Sequence, residues 1–286
     1  MRSHLNGIDH CCVLVRDFDR ARDTFTRLGF TVSHFGRHAT EMGTGNHNVL
    51  FEQDYFELLG VREPTEYNED IRAALSVREG IAAVALRTDD TAAAAAEWQA
   101  TGLATTEPQT VRRPVELPDG TETEAVFSIA RLTDVTGYLQ LFSSQILTPE
   151  HTWISELMKH PNTAWGIDHV AIVAEDAETS AANVARVFET EPEAHTAGTL
   201  EVPTGGSPIV YLSPASFEET YPGIDLPPTG LTVLAVKVFD ENTAAAHLRT
   251  SGVPFTTTER GLVVAPEHAN GILLVLRAAT HSGEDA

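Results

Sequence analysis

The sequence predicts an α+β protein built from four β-α-β-β-β units that fill two domains. Three observations support this. The stretch Gly7–Phe30, GIDHCCVLVRDFDRARDTFTRLGF, reads as an apolar strand, a short acidic turn and an amphipathic helix closed by glycine. Its landmarks recur, with an opening glycine 10 residues before an aspartate at Gly7/Asp17, Gly80/Asp90, Gly166/Asp176 and Gly230/Asp240. A closing glycine follows 22 residues after the opening one at Gly29, Gly102 and Gly252, with Phe188 in that place in the third copy. A unit this small cannot bury its apolar face alone, so the copies must pack on one another.

In the first unit the run Ile8–Val15 has strand length. Asp17 or Asp19 can cap the following helix, because a carboxylate accepts from the unpaired N–H groups of a first turn. Phe18, Ala21, Phe25 and Leu28 share one helical face, and Gly29 suits a left-handed end. Thr31–His38, Asn48–Gln53 and Tyr55–Val61 read as the three remaining strands. The second unit starts at Gly80, with a helix near Thr91–Gln99 and strands at Thr110–Leu117, Glu124–Leu132 and Tyr138–Ser143. Pro118-Asp119-Gly120 is its hairpin signal.

Residues 144–165 break the pattern with two prolines, Trp153 and Trp165. They are expected to form a linker with a short helix over Pro149–Lys159. That divides the chain into domains at 1–143 and 166–279 around the linker 144–165. The third unit has extended stretches near Ala194–Val202 and Ile209–Leu212, followed by an irregular Pro214–Pro228. The fourth runs from Gly230 to Arg277, and the tail from Thr280 is expected to be disordered.

Composition narrows the function. The net charge of −22 argues against nucleic acid or an anionic membrane as partner. Solubility in a crowded cytoplasm is the simplest reading of that charge. No apolar run is long enough to span a bilayer, and no secretory signal is expected. Cys11 and Cys12 are strand neighbours that point to opposite faces, so free thiols in a reducing cytoplasm are expected.

Two copies open with the same four residues, Gly7–His10 and Gly166–His169, while Ala83 and Val233 stand at the histidine's place in the others. The strand itself therefore does not require a histidine. Tyr55-Phe56-Glu57-Leu58-Leu59 sets a carboxylate within an apolar strand. Matching by similarity puts Gln140 at that place in the second copy and Leu274 in the fourth. A buried carboxylate costs several kcal/mol unless compensated. A metal would compensate it, and imidazole with carboxylate suits Fe, Mn, Zn, Ni or Co. The blander alternative is a hydrogen bond between His10 and Glu57 or to backbone.

Four such units, GIDH on the first strand and YFELL on the fourth resemble the vicinal oxygen chelate superfamily. Gly36-Arg37-His38, Met42–Asn46 and Tyr55–Leu59 resemble its glyoxalase-like branch. The resemblance implies units paired into cupped sheets of glyoxalase/extradiol-dioxygenase type. It also implies metal ligands from first and fourth strands, which fall on His10, Glu57 and Gln140 and leave Ala83 vacant. Glu57 would be both ligand and catalytic group. His38 and His47 could replace the missing ligand but match no family ligand position.

Further candidates for the substrate site are His47, Tyr55, Arg113, Tyr138 and Cys12. Arg112 and Arg113 could hold a carboxylate, although exposed strand arginines are the default. Tyr55 and Tyr138 could line the cup. Cys12 alternates with Ile8, His10 and Leu14, so it shares the His10 face as a small apolar wall. Gly43–Asn46 reads as a turn, since no lysine follows to make a phosphate loop.

The resulting expectation is an enzyme that uses one divalent metal on a small molecule with neighbouring oxygens, by lyase or isomerase chemistry of glyoxalase type. An Fe(II) ring-cleaving dioxygenase and a non-catalytic small-molecule binder are the alternatives. A homodimer is compatible with the sequence.

Overall fold

Each of the four acidic turns supplies the aspartate that starts its helix. This is seen in a computed structural model that describes residues 2–117, 120–134, 139–196, 198–225 and 230–280. Asp17 Oδ1 accepts from the Arg20 N–H at 3.0 Å, Asp90 from Ala93 at 3.0 Å, Asp176 from Thr179 at 2.9 Å and Asp240 from Asn242 at 3.0 Å. The recurrence of aspartate in the sequence is thus a recurrence of helix caps. In the third unit the helix runs on through Phe188, and Glu189 takes the left-handed end at φ 53° that glycine holds elsewhere.

The first half comprises β1 (Ile8–Leu14), α1 (Phe18–Arg27), β2 (Gly36–Arg37), β3 (Thr44–Leu50), β4 (Tyr55–Val61), α2 (Glu69–Val77), β5 (Gly80–Arg87), α3 (Thr91–Ala100), β6 (Gln109–Glu116), β7 (Glu122–Arg131) and β8 (Gln140–Ile146). The second comprises β9 (Ala164–Val173), α4 (Ala177–Phe188), β10 (Glu193–Thr196), β11 (Thr199–Val202), β12 (Ile209–Leu212), α5 (Pro214–Thr220), β13 (Gly230–Val238), α6 (Glu241–Thr250), β14 (Thr256–Thr258), β15 (Gly261–Val264) and β16 (Leu273–Ala278). Each half forms one 8-stranded sheet. The orders, β2-β3-β4-β1-β5-β8-β7-β6 and β10-β11-β12-β9-β13-β16-β15-β14, are the same pattern. In each, the first strands of two units pair antiparallel at the centre and run parallel to the last strand of their own unit.

Several elements depart from expectation. Only Gly36–Arg37 of the stretch Thr31–His38 pairs as strand. The next strand begins at Thr44, inside what reads as a turn, and Gly43 alone carries the left-handed φ of 61°. Gly45 passes so close to the neighbouring strand that a Cβ there would lie 2.9 Å from the Gly36 carbonyl oxygen. Two short 3₁₀ turns, Pro149–His151 and Ser155–Met158, replace the single linker helix. Pro214–Thr220, expected to be irregular, is helical because Ser213 caps it and Pro214 fits its first turn. The hairpin signal at Pro118 and Asp119, Tyr138 and the tail beyond Thr280 lie outside the described residues.

A continuous apolar core joins the two sheets, holding Phe25 of α1, Trp98 of α3 and Phe188 of α4. The indole N–H of Trp98 donates to the Val187 carbonyl at 3.0 Å, tying α3 to α4. Asp54, in the turn between β3 and β4, accepts from the backbone N–H of Ile167 on β9 at 2.9 Å. Within β1, Cys11 and Val13 face this core, leaving His10, Cys12 and Leu14 on the concave side. Among the described residues no helix is long and apolar enough to cross a membrane.

Candidate metal centre

The concave face of the first sheet encloses a cavity of about 720 Å³, lined by His10, Cys12 and Glu57 on its floor and by α2 along one side. Strand register decides which side chains meet there. His10 lies beside Tyr55 on β4 and Ala85 on β5, while Cys12 lies beside Glu57 and Ala83. Two cross-strand rows result, Tyr55–His10–Ala85–Phe142 and Glu57–Cys12–Ala83–Gln140.

This register corrects the matching of units by sequence similarity. Ala83 corresponds to His10, so Gln140 beside it corresponds to Tyr55, and Phe142 holds the place of Glu57. Val210 and Val275 hold that place in the third and fourth units, where Leu274 instead faces the core. Gln140 lines the cavity two strands away from Cys12.

His10 is held from three directions. Asp9 Oδ1 meets its Nδ1 at 2.5 Å, and the Tyr55 ring stacks on it with centroids 4.4 Å apart. The Phe142 ring meets its edge at 5.6 Å. Trp153 of the linker packs edge-on against Tyr55 at 5.9 Å, so the linker supports the floor of the cup. Nε2 is left facing Glu57 Oε2 at 3.7 Å, too long for a hydrogen bond. Asp9 is wholly buried, and its second oxygen has no hydrogen-bond partner. A nitrogen and an oxygen at this separation fit an ion bound at about 2.0–2.2 Å from each. A carboxylate on the far ring nitrogen is a common support for a metal-binding histidine. The residues present therefore fit a divalent metal.

Burial pushes the Cys12 thiol well above its usual range, and the charge of Glu57 adds to this. Burial also raises the Tyr55 phenol, with Asp9 and Glu57 contributing. His38 lines the cavity with Nδ1 2.8 Å from Thr44 Oγ1, and burial lowers its pKa. Arg113 also lines the cavity and stacks over Phe127 at 5.7 Å. With the Asn48 amide turned to face it, the amide oxygen accepts from both terminal nitrogens of Arg113, at 3.1 and 3.2 Å. That contact links β6 to β3 across the mouth of the cup. Arg131 donates to the Tyr67 hydroxyl at 2.6 Å. Arg131 and Tyr67 were not expected here; Arg112, a candidate alongside Arg113, is instead exposed and pairs with Glu124 at 3.3 Å.

His47 lies elsewhere. Thr44 and Asn46 face the cup, so alternation along β3 turns His47 outward, beside Phe18, Arg22 and Phe35. Its Nδ1 meets the Ser33 carbonyl oxygen at 2.8 Å. This overturns its expected place in the substrate site.

The second sheet repeats the Asp–His contact without the cup. His169 Nδ1 meets Asp168 at 2.7 Å, and Arg277 also binds Asp168 at 3.2 Å. Ala171 and Val210 stand where Cys12 and Glu57 stand in the first sheet. The concave face is filled by Val173, Val233 and Val275 and by Phe217 and Tyr221 of α5 and its C-terminal end.

A family model described as a glyoxalase-like domain matches residues 8–188. The chain belongs to the glyoxalase-like domain family. It is thereby a member of the vicinal oxygen chelate superfamily, with the cupped α+β fold of that group. A hypothetical protein from Staphylococcus aureus matches 95% of this chain and 99% of its own, at TM-score 0.70 and 11% identity. A Mn(II)-bound glyoxalase from Novosphingobium aromaticivorans matches 97% of this glyoxalase-like chain and 83% of its own, at TM-score 0.55 and 11% identity. A mutant 4-hydroxymandelate synthase from Streptomyces coelicolor matches 89% and 77%, at TM-score 0.57 and 14% identity. These likenesses concern the fold. No protein of curated function matches the sequence.

Proposed function

We propose that this glyoxalase-like protein is a divalent-metal-dependent enzyme acting on a small molecule with neighbouring oxygens, with lyase or isomerase chemistry. The observation that carries this is the buried His10–Glu57 pair, 3.7 Å apart at the floor of an open cup, with His10 braced by Asp9. His10 and Glu57 would hold the ion, and Gln140 would face the substrate from beyond Ala83. The ion, when bound, supplies Lewis acidity that polarises the substrate oxygens.

The chain's own residues do the rest. Glu57 holds or moves a proton at the carbon next to those oxygens. Asp9 and Tyr55 fix the imidazole, so His10 presents Nε2 in one orientation. Arg113 and Arg131 place positive charge in the cavity wall, which favours an oxygen-rich substrate. The side chains of α2 cover part of the cavity and reduce its access to water.

The test begins with elemental analysis of protein purified without added metal. The loaded protein is then incubated in heavy water with a hemithioacetal of a 2-oxoaldehyde. Deuterium should enter the substrate carbon, and Glu57→Gln should slow this by about 10²–10⁴-fold. Metal-free protein that stays metal-free after exposure to all five candidate metals would sink the reading.

A further inference from the structure

The donor set on the cup floor contains a third member that the two-unit pattern does not supply. One atom each from His10, Cys12 and Glu57 lies within 4.8 Å of the other two, and all three residues are buried. Cys12 stands directly beside Glu57 across β1 and β4, and directly beside Ala83 across β1 and β5. Ala83 corresponds to His10 in the second unit and offers only a methyl group. The thiol therefore occupies the place next to the missing donor, with its side chain in the cavity wall. Cys11, by contrast, is buried in the apolar core on the opposite face.

We propose that Cys12 is a ligand of the metal centre, as its thiolate, completing a nitrogen–sulfur–oxygen site with His10 and Glu57. This rests on the metal reading given above. On binding, the thiol proton leaves to solvent and sulfur donates its lone pair to the ion. Thiolate and carboxylate then contribute two negative charges that neutralise a divalent cation, which matters where the site is removed from water. A soft sulfur donor shifts the preference toward Zn(II) and Co(II) and away from Mn(II).

The experiment uses the full chain stripped of metal and titrated with Co(II). Thiolate bound to cobalt gives a near-ultraviolet charge-transfer band that oxygen and nitrogen ligands do not. The expected result is a band that saturates at one cobalt per chain and persists in Cys11→Ala. In Cys12→Ser and Cys12→Ala the band should vanish, and one proton fewer should be released per metal bound. Circular dichroism of both variants separates loss of a ligand from loss of fold, and the wild-type band alone decides if neither folds. Stoichiometric cobalt binding without the band in wild type overturns the proposal while leaving the metal reading intact. Absence of Co(II) binding, with the other four candidate metals also unbound, overturns both.

Discussion

The ring of Tyr55 lies nearly parallel to that of His10, at an interplanar angle of 19°, while Asp9 holds the far nitrogen of the same imidazole. Stack and hydrogen bond together leave the ring one orientation. Asp9→Ala should therefore weaken metal affinity by about 10–100-fold, as loss of such an outer partner commonly does. Tyr55→Phe keeps the stacked face and should change affinity little. Zinc competition titrations measure both, and equal losses in the two variants would contradict the division of labour.

The two histidines of the repeated GIDH should behave oppositely. His10→Ala removes a first ligand and should empty the site, and it should also cost about 1–3 kcal/mol through its lost bond to buried Asp9. His169→Ala should leave metal content unchanged and cost about 1–3 kcal/mol through its lost bond to Asp168. Metal per chain and unfolding midpoints compare them directly. Loss of metal from His169→Ala alone would move the centre to the second sheet.

Asp54 is buried between the halves, and burial raises its pKa to about 7. The folded state thus holds a proton that the unfolded chain releases near its ordinary value. Its contribution to stability is full below about 4 and falls as pH rises through 7. Asp54→Asn keeps an oxygen for the Ile167 N–H, so it should stabilise the protein by about 2–4 kcal/mol at pH 8 and little at pH 4. Urea unfolding at the two pH values checks this; equal effects at both would exclude the buried carboxylate as the cause.

His160 has the opposite sign. Its Nε2–H donates to the Leu50 carbonyl at 2.8 Å and its Nδ1 accepts from the Thr31 N–H at 3.0 Å, so the buried ring is neutral. Burial lowers its pKa to about 4. Its contribution is full above about 6.5 and is lost as pH falls toward 4, by about 3 kcal/mol. His160→Ala should be less stable at pH 7.5 and should lose less than wild type on acidification. An unchanged acid slope in that variant would locate the sensitivity elsewhere.

On the proposed reading, Ala83 leaves the site without a second first-strand histidine and the chemistry is non-oxidative. With Fe(II) added under air, the protein and catechol should show no enzyme-dependent oxygen consumption at an oxygen electrode. Stoichiometric uptake with ring cleavage would replace the lyase or isomerase reading.

The repeat was legible because its signals are local. An aspartate that caps a helix and a glycine that closes it must recur in sequence if they recur in space. His10 and Glu57 were legible as a polar pair on otherwise apolar strands. The Gln140 equivalence was not, because hydrogen-bond register, rather than resemblance of YLQLF to YFELL, fixes which residues face each other. His47 failed on parity, since one step along β3 reverses a side chain's face. The wall formed by α2 gave little signal because none of its residues is buried. The Asn48–Arg113 contact joins strands far apart in sequence and could not be read from either.

On the proposed metal reading, the filled concavity of the second sheet makes the molecule a template for building a second metal centre. His169 already has its carboxylate support, and the strands around it follow the same order as in the first sheet. Ala171→Cys and Val210→Glu would restore the donor row beside it, and smaller side chains at Phe217 and Tyr221 would clear the space above. If the first sheet holds a metal as proposed, a chain with two independently loaded metal centres is then four substitutions from the present sequence.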